Sequence, residues 1–244
     1  MTYCVGLKLK AGLVLLSDTR TNAGIDNIAR FRKMFVFSEP GDRVVALMTA
    51  GNLGITQGVV TKIEQAVKRA KGDPEIESVM TCDSLYRAAQ LVGEAMQEVQ
   101  KRDRAHIERE GAAADATIIL AGQRKGGELR LFLIYTAGNF IEAGEDTPYM
   151  QIGEHKYGKP ILDRVIKPET TIEEAVKAAL VSMDSTLRSN LSVGMPLDLA
   201  VIPAGEFALR QVRIEQDHPE FRKISDSWAN SLREAFNGLP SVKV

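Results

Sequence analysis

The chain has 244 residues, 31 Lys and Arg against 32 Asp and Glu, a net charge of −1 and 44% hydrophobic residues. That length buries a full core, and the even charge lacks the local cationic excess on which unspecific binding to nucleic acid or an anionic membrane depends. No apolar run reaches the roughly 18 residues of a membrane span, and Met1-Thr2-Tyr3-Cys4-Val5-Gly6 is no secretory signal, so the expected compartment is the cytoplasm, with Cys4 and Cys82 as two reduced thiols.

Strand patterns open the chain. Val5–Leu9 and Leu13–Leu16 flank Lys10-Ala11-Gly12, which reads as a three-residue hairpin loop with Gly12 in the left-handed position. Met34–Phe37 and Val44–Met48 are two further β runs. The period then changes: Ile55, Val59, Ile63 and Val67 form the apolar stripe of an amphipathic helix, and Leu85, Ala88, Val92, Ala95, Met96 and Val99 form a second. Strands return at Ala116–Ala121 and Leu129–Tyr135, with Gly126-Gly127 in the turn. A helix carrying Ile172, Ala175, Val176, Ala179, Leu180, Met183 and Leu187 follows irregular chain. Strands at 197–203 and 207–214 precede a short helix around Trp228, Leu232 and Phe236. Antiparallel hairpins with helices grouped between them predict a layered α+β fold, and no linker divides the sequence, so residues 1–244 are expected to form a single domain.

Common catalytic signatures are absent. There is no phosphate-binding loop, no Gly-x-Ser-x-Gly elbow and no zinc-binding helix, and His106, His155 and His218 are isolated, so no metal and no cofactor is expected. The informative position is Thr2. Removal of Met1 gives Thr2 a free α-amine, whose pKa of about 7.7–8 lies near cellular pH. That amine can accept the proton of the same residue's hydroxyl, so that one residue is nucleophile and base. With the three-residue loop, Leu9 pairs with Leu13, Thr2 faces Arg20, and Cys4 faces Asp18. Thr2 and Asp18 then become diagonal neighbours, about 7–8 Å apart at their Cβ atoms, whereas a two-residue loop sends them to opposite faces.

Thr2 to Lys8, Gly12 to Arg20, Arg32-Lys33-Met34-Phe35 and Thr49-Ala50-Gly51 together resemble the proteasome β-subunit family of N-terminal-nucleophile hydrolases. The absence of a longer propeptide and a helical extension at about 218–244 make the chain look most like the bacterial Anbu branch. The resemblance implies a four-layer αββα sandwich, two antiparallel sheets between helix layers. It implies Thr2 as nucleophile and base, with Asp18 and Lys33 as the charged pair behind it. Gly51 N–H would supply the oxyanion hole, and Thr21, Thr49 and Leu53 would lie near the pocket for the residue before the scissile bond. Arg20, Ser189 and Ser192 would be supporting residues. Two departures stand out: Ser189 occupies a position that is usually Asp, and Gly153-Glu154-His155 replaces a Gly-Ser-Gly turn.

Three functions fit. The first is a self-compartmentalising threonine peptidase acting on peptides or unfolded protein, as a homo-oligomeric ring or open helical assembly with ATPase docking left open. The others are an amidohydrolase with a narrow small-amide or peptide substrate, and a weakly active ring-forming scaffold subunit.

Overall fold

The computed structural model describes residues 1–22 and 28–242. Its first hairpin joins β1 (Tyr3–Leu9) to β2 (Gly12–Asp18). With β10 (Tyr149–Gly153), β11 (Leu197–Pro203) and β12 (Arg210–Ile214) they make one antiparallel sheet, ordered β10-β1-β2-β11-β12. The second sheet, also antiparallel, is β5 (Met34–Glu39), β6 (Arg43–Gly51), β7 (Ala116–Arg124), β8 (Arg130–Ile134) and β9 (Phe140–Glu142), in chain order. A two-stranded ribbon, β3 (Arg20–Asn22) and β4 (Ile28–Arg30), links the first hairpin to the second sheet.

Alternation along the strands builds three apolar layers. Cys4, Leu13, Leu15, Met48, Ile119 and Leu131 meet between the sheets. Val5, Leu7, Val14 and Leu16 point the other way, onto α3 (Lys159–Val165) and α4 (Ile172–Ser189). On the far sheet, Val45, Leu47, Ile118 and Leu120 meet α1 (Leu53–Ala70) and α2 (Leu85–Arg109). The result is the αββα sandwich expected from the resemblance. Helix starts are set locally: the side chains of Asn52 and Ser84 accept from Ile55 N (3.2 Å) and Arg87 N (3.1 Å), and Thr171 with Glu174 forms a capping box on α4. Among the described residues no helix is long and apolar enough to cross a membrane.

The hairpin register differs from the sequence expectation. Leu9 pairs with Gly12 and Cys4 with Ser17, so the connection is the two residues Lys10-Ala11. Gly12 is a strand residue with φ 150°, and a Cβ there would lie 2.5 Å from Ile202 O and 3.0 Å from Pro203 Cα on β11. The glycine therefore serves the close approach of two strands and not the turn. Five smaller elements, β3, β4, β9, β10 and α3, lie where the sequence showed no periodicity. The last helix, α5 (Pro219–Asn237), begins about two turns before the pattern around Trp228.

Gly12→Ala is expected to destabilise the fold by about 1–3 kcal/mol, the usual cost of overpacking, read as a lower urea midpoint at unchanged slope. An unchanged midpoint would contradict the close β2–β11 approach.

Candidate active site

Thr2 lies immediately before β1 and is buried. Its carbonyl accepts a hydrogen bond from Glu154 N at 2.6 Å. Gly153, at φ 81°, packs so closely on the Thr2 backbone that a Cβ there would collide with the Thr2 carbonyl. The end of β10 thus fixes Thr2 by its main chain.

Asp18 ends β2, and because Cys4 pairs with Ser17 it comes opposite Tyr3, so Thr2 and Asp18 are not the same-face diagonal neighbours expected from a three-residue loop. Its Oδ1 accepts from Tyr3 N at 3.0 Å and from Lys33 Nζ at 2.6 Å, and its Oδ2 accepts from Gly194 N at 3.1 Å. Lys33 Nζ also donates to Arg20 O at 2.5 Å. The two side chains are 0% (Asp18) and 5% (Lys33) exposed, a buried ion pair directly below the chain start. Burial raises the Asp18 carboxyl above the usual carboxylate range, while the ammonium of Lys33 and the backbone donors pull it down. The α-amine of Met1 lies in the same field. Burial lowers it first, repulsion by Lys33 lowers it further, and Asp18 opposes both.

Thr49 N donates to Lys33 O at 2.9 Å, which locks β6 to the Lys33 segment. Two residues on, Gly51 ends β6 exposed and at φ 106°, one residue before the helix cap Asn52. Thr21 pairs with Ala29 in the ribbon, and Leu53, half-buried, opens α1. Among the described residues, no hydrogen bond joins Thr21 or Leu53 to Thr2, Asp18 or Lys33. Cys4 is near, but burial and then the Asp18 charge push its thiol up, so it is no thiolate nucleophile.

The supporting residues divide. Arg20 Nη1 donates to Leu191 O at 2.8 Å, and its guanidinium fills the space a side chain on Gly194 would need. Arg20 thereby holds the segment whose Gly194 N–H binds Asp18. Ser192 is half-buried, and its N–H donates to Asn190 Oδ1 at 2.9 Å. Ser189 is exposed at the end of α4, away from this network. The neighbouring Asn190 makes the contact instead, donating from Nδ2 to Glu154 Oε2 at 3.2 Å. Sequence reasoning missed Asn190 and the donor role of Gly194, and it marked Gly153-Glu154-His155 as a departure without foreseeing that the Glu154 N–H binds the Thr2 carbonyl. Among the described residues, no group of three His, Cys, Asp or Glu is placed to hold a metal ion.

The sequence model of the proteasome subunit family matches residues 2–202. The chain belongs to the proteasome subunit family. Among solved structures, it is 48% identical to Anbu, the ancestral β-subunit, from Yersinia bercovieri, over 99% of this chain and 100% of that one, with a TM-score of 0.91. A Gly-1 mutant of Anbu from Hyphomicrobium sp. strain MC1 is 45% identical over the whole of both chains, with a TM-score of 0.91. Anbu from Pseudomonas aeruginosa, solved as a helical assembly, is 43% identical over 99% of this chain and 98% of that one, with a TM-score of 0.92. Within the proteasome family the likeness is therefore to the Anbu branch, and it runs on past residue 202 through β12 and α5.

Removing one partner of a buried ion pair costs about 3–5 kcal/mol, so Lys33→Met is expected to lose that much at pH 8. A carboxyl whose folded pKa is raised loses stability as pH rises through that value and keeps it below the unfolded one. The Lys33→Met penalty should therefore be smaller at pH 5 than at pH 8, because a proton on Asp18 removes the charge that Lys33 balances. Urea midpoints of variant and wild type at the two pH values check this; an equal penalty at both contradicts it.

Proposed function

We propose that the chain is a subunit of a self-compartmentalising threonine peptidase that hydrolyses peptide bonds with Thr2 after removal of Met1. The observation that carries this reading is the buried Lys33–Asp18 pair beneath a main-chain-clamped Thr2. An ordinary surface lysine and turn carboxylate need no such burial. An ammonium has three donors; Lys33 spends two on Asp18 and Arg20 O, which leaves one for the Thr2 hydroxyl.

In the proposed cycle the free α-amine takes the proton from Oγ1 as Oγ1 bonds to the substrate carbonyl carbon. Lys33 offsets the charge that develops on Oγ1, and Gly51 N–H receives the carbonyl oxygen. The α-ammonium returns the proton to the leaving amine as the C–N bond breaks. Water, deprotonated by the same amine, then hydrolyses the ester and regenerates Thr2. Substrates are peptides or unfolded protein, handled in the cytoplasm inside a homo-oligomer. The relative solved as a helical assembly supports an open helical form of that oligomer. Glu154 in place of a turn serine and the exposed Ser189 favour a second reading with weaker or narrower turnover, an amidohydrolase or a scaffold subunit.

The test is activity, or labelling by a hydroxyl-directed electrophile, together with intact mass. Active protein is expected to lack Met1. Thr2→Ala should abolish labelling, and Lys33→Ala should lower the rate about 10²–10³-fold, as other preorganised electrostatic donors do. Active material that retains Met1, or full activity in Lys33→Ala, overturns the mechanism. Labelling without cleavage across a panel of peptide amides selects the narrower reading.

A further inference from the structure

The junction between β6 and α1 is fastened to the chain beside it more heavily than a helix start requires. Four successive carbonyls, those of residues 113 to 116, each accept a hydrogen bond from a different group. Asn52 Nδ2 donates to Ala113 O at 2.9 Å, Gln100 Nε2 to Ala114 O at 2.7 Å, Asn52 N to Asp115 O at 2.8 Å, and Thr136 Oγ1 to Ala116 O at 2.7 Å. This segment packs directly on Gly51, where a Cβ would collide with Asp115 O and lie 2.8 Å from Ala116 Cα. The direction of the Gly51 N–H follows from the strand. Successive residues of a strand turn their N–H groups to opposite edges. Thr49 N points to Lys33 O, and Asn52 N points to Asp115 O on the other edge. Gly51, two residues after Thr49, therefore turns its N–H to the Lys33 edge. Its partner in the register agrees: Ala116 N donates to Thr136 Oγ1 at 3.1 Å, and its carbonyl accepts from the same hydroxyl, so neither group is turned toward Gly51.

We propose that Asn52 is a positioning residue of the Thr2 site, whose side chain bolts the β6–α1 junction to the 113–116 segment and so keeps the Gly51 N–H aimed at the oxyanion. At φ 106° Gly51 sits in a region that glycine alone enters readily, and a glycine opposes rotation less than any other residue. Its aim is set by its neighbours. Before it, Ala50 is held in the ladder opposite Thr117; after it, the holder is Asn52. One side-chain amide serves both flanks, since Oδ1 accepts from Ile55 N of α1 at 3.2 Å while Nδ2 donates to Ala113 O. A helix cap needs only the oxygen, which serine or aspartate supplies as well. The second bond needs the N–H of an amide. Gln100 holds the same segment from behind: it is buried, and its amide donates to Ala114 O. The role of Asn52 rests on the peptidase reading, in which Gly51 serves Thr2, and Asn52 itself touches no substrate.

Asn52→Ser and Asn52→Asp test this. Both keep an oxygen for Ile55 N, but serine is too short to reach Ala113 O and a carboxylate has no N–H to donate. Each is expected to lower kcat on a peptide amide about 10- to 100-fold, the scale of a small misplacement at the reacting atoms. KM should stay within about twofold, because ground-state binding is left alone. A peptide aldehyde, whose oxygen becomes the oxyanion when Thr2 adds to it, should bind about tenfold more weakly, and the corresponding peptide alcohol, which forms no adduct, should bind as it does to wild type. Ser84→Ala, which removes the cap of α2, should leave kcat and aldehyde binding unchanged. Wild-type kcat and aldehyde affinity in both Asn52 variants, an equal loss in Ser84→Ala, or a loss confined to the charged Asn52→Asp overturns the role of Asn52 and leaves Thr2 as nucleophile. A wild type that neither cleaves nor labels at Thr2 removes the peptidase reading and the role of Asn52 together.

Discussion

The carboxylate of Asp18 organises the chain around it. A buried charge is tolerable only when it is paired and its remaining lone pairs are filled. Here the partners come from three separate segments: Lys33 ahead of β5, Tyr3 N on β1, and Gly194 N ahead of β11. Satisfying one carboxylate thus fixes the start of the chain, the ribbon that returns from β2, and the connection from α4 to β11. The network then extends outward. Arg20 gives its carbonyl to Lys33 and its guanidinium to the 190–194 segment, and Asn190 in that segment reaches Glu154, whose N–H holds Thr2.

The three apolar layers supply what this network needs from its surroundings. Tyr3, Val5 and Leu7 fasten β1 to α4 on one side, and Cys4 faces the second sheet on the other. The Tyr3 hydroxyl is bonded by Gln151 Nε2 and shared with Ser182 Oγ, each at 2.6 Å, so even the first strand residue has no slack. A main chain held on both faces can present Thr2 at one position, and the nucleophile role proposed for it depends on orientation of this kind.

What the residues disclosed, and what they hid, follows from the range of each signal. Long elements with a clean period, such as α2 and β7, were legible because each residue reports its own burial. Thr2, Asp18 and Lys33 were singled out through the resemblance of their order and spacing to a known family, and the fold brings Asp18 and Lys33 together as one buried pair near the chain start. The register was not: Gly12 signals φ and space, and sequence alone does not say whether a turn or a neighbouring strand demands them. Here the demand came from Ile202 and Pro203, some 190 residues away in the chain. Ser189 and Asn190 show the same limit at the scale of one residue. Both are small, polar and at the end of a helix, and only the direction of the last turn sends one to Glu154 and the other to solvent. The ribbon of β3 and β4 is too short to show a period at all.

The clamp on Thr2 also bears on timing. Met1 is largely exposed, yet the residue after it is fastened by its carbonyl to Glu154 N, and the one after that by its amide to Asp18. An enzyme that trims an initiator methionine must draw the following residues into its own cleft, and a folded chain pinned at both does not yield them. The trimming that the proposed function calls for would thereby be confined to the interval between emergence of the chain start and the pairing of β1 with β10. On the proposed function, maturation would be a race between two rates, with the loser fixed for the lifetime of the fold.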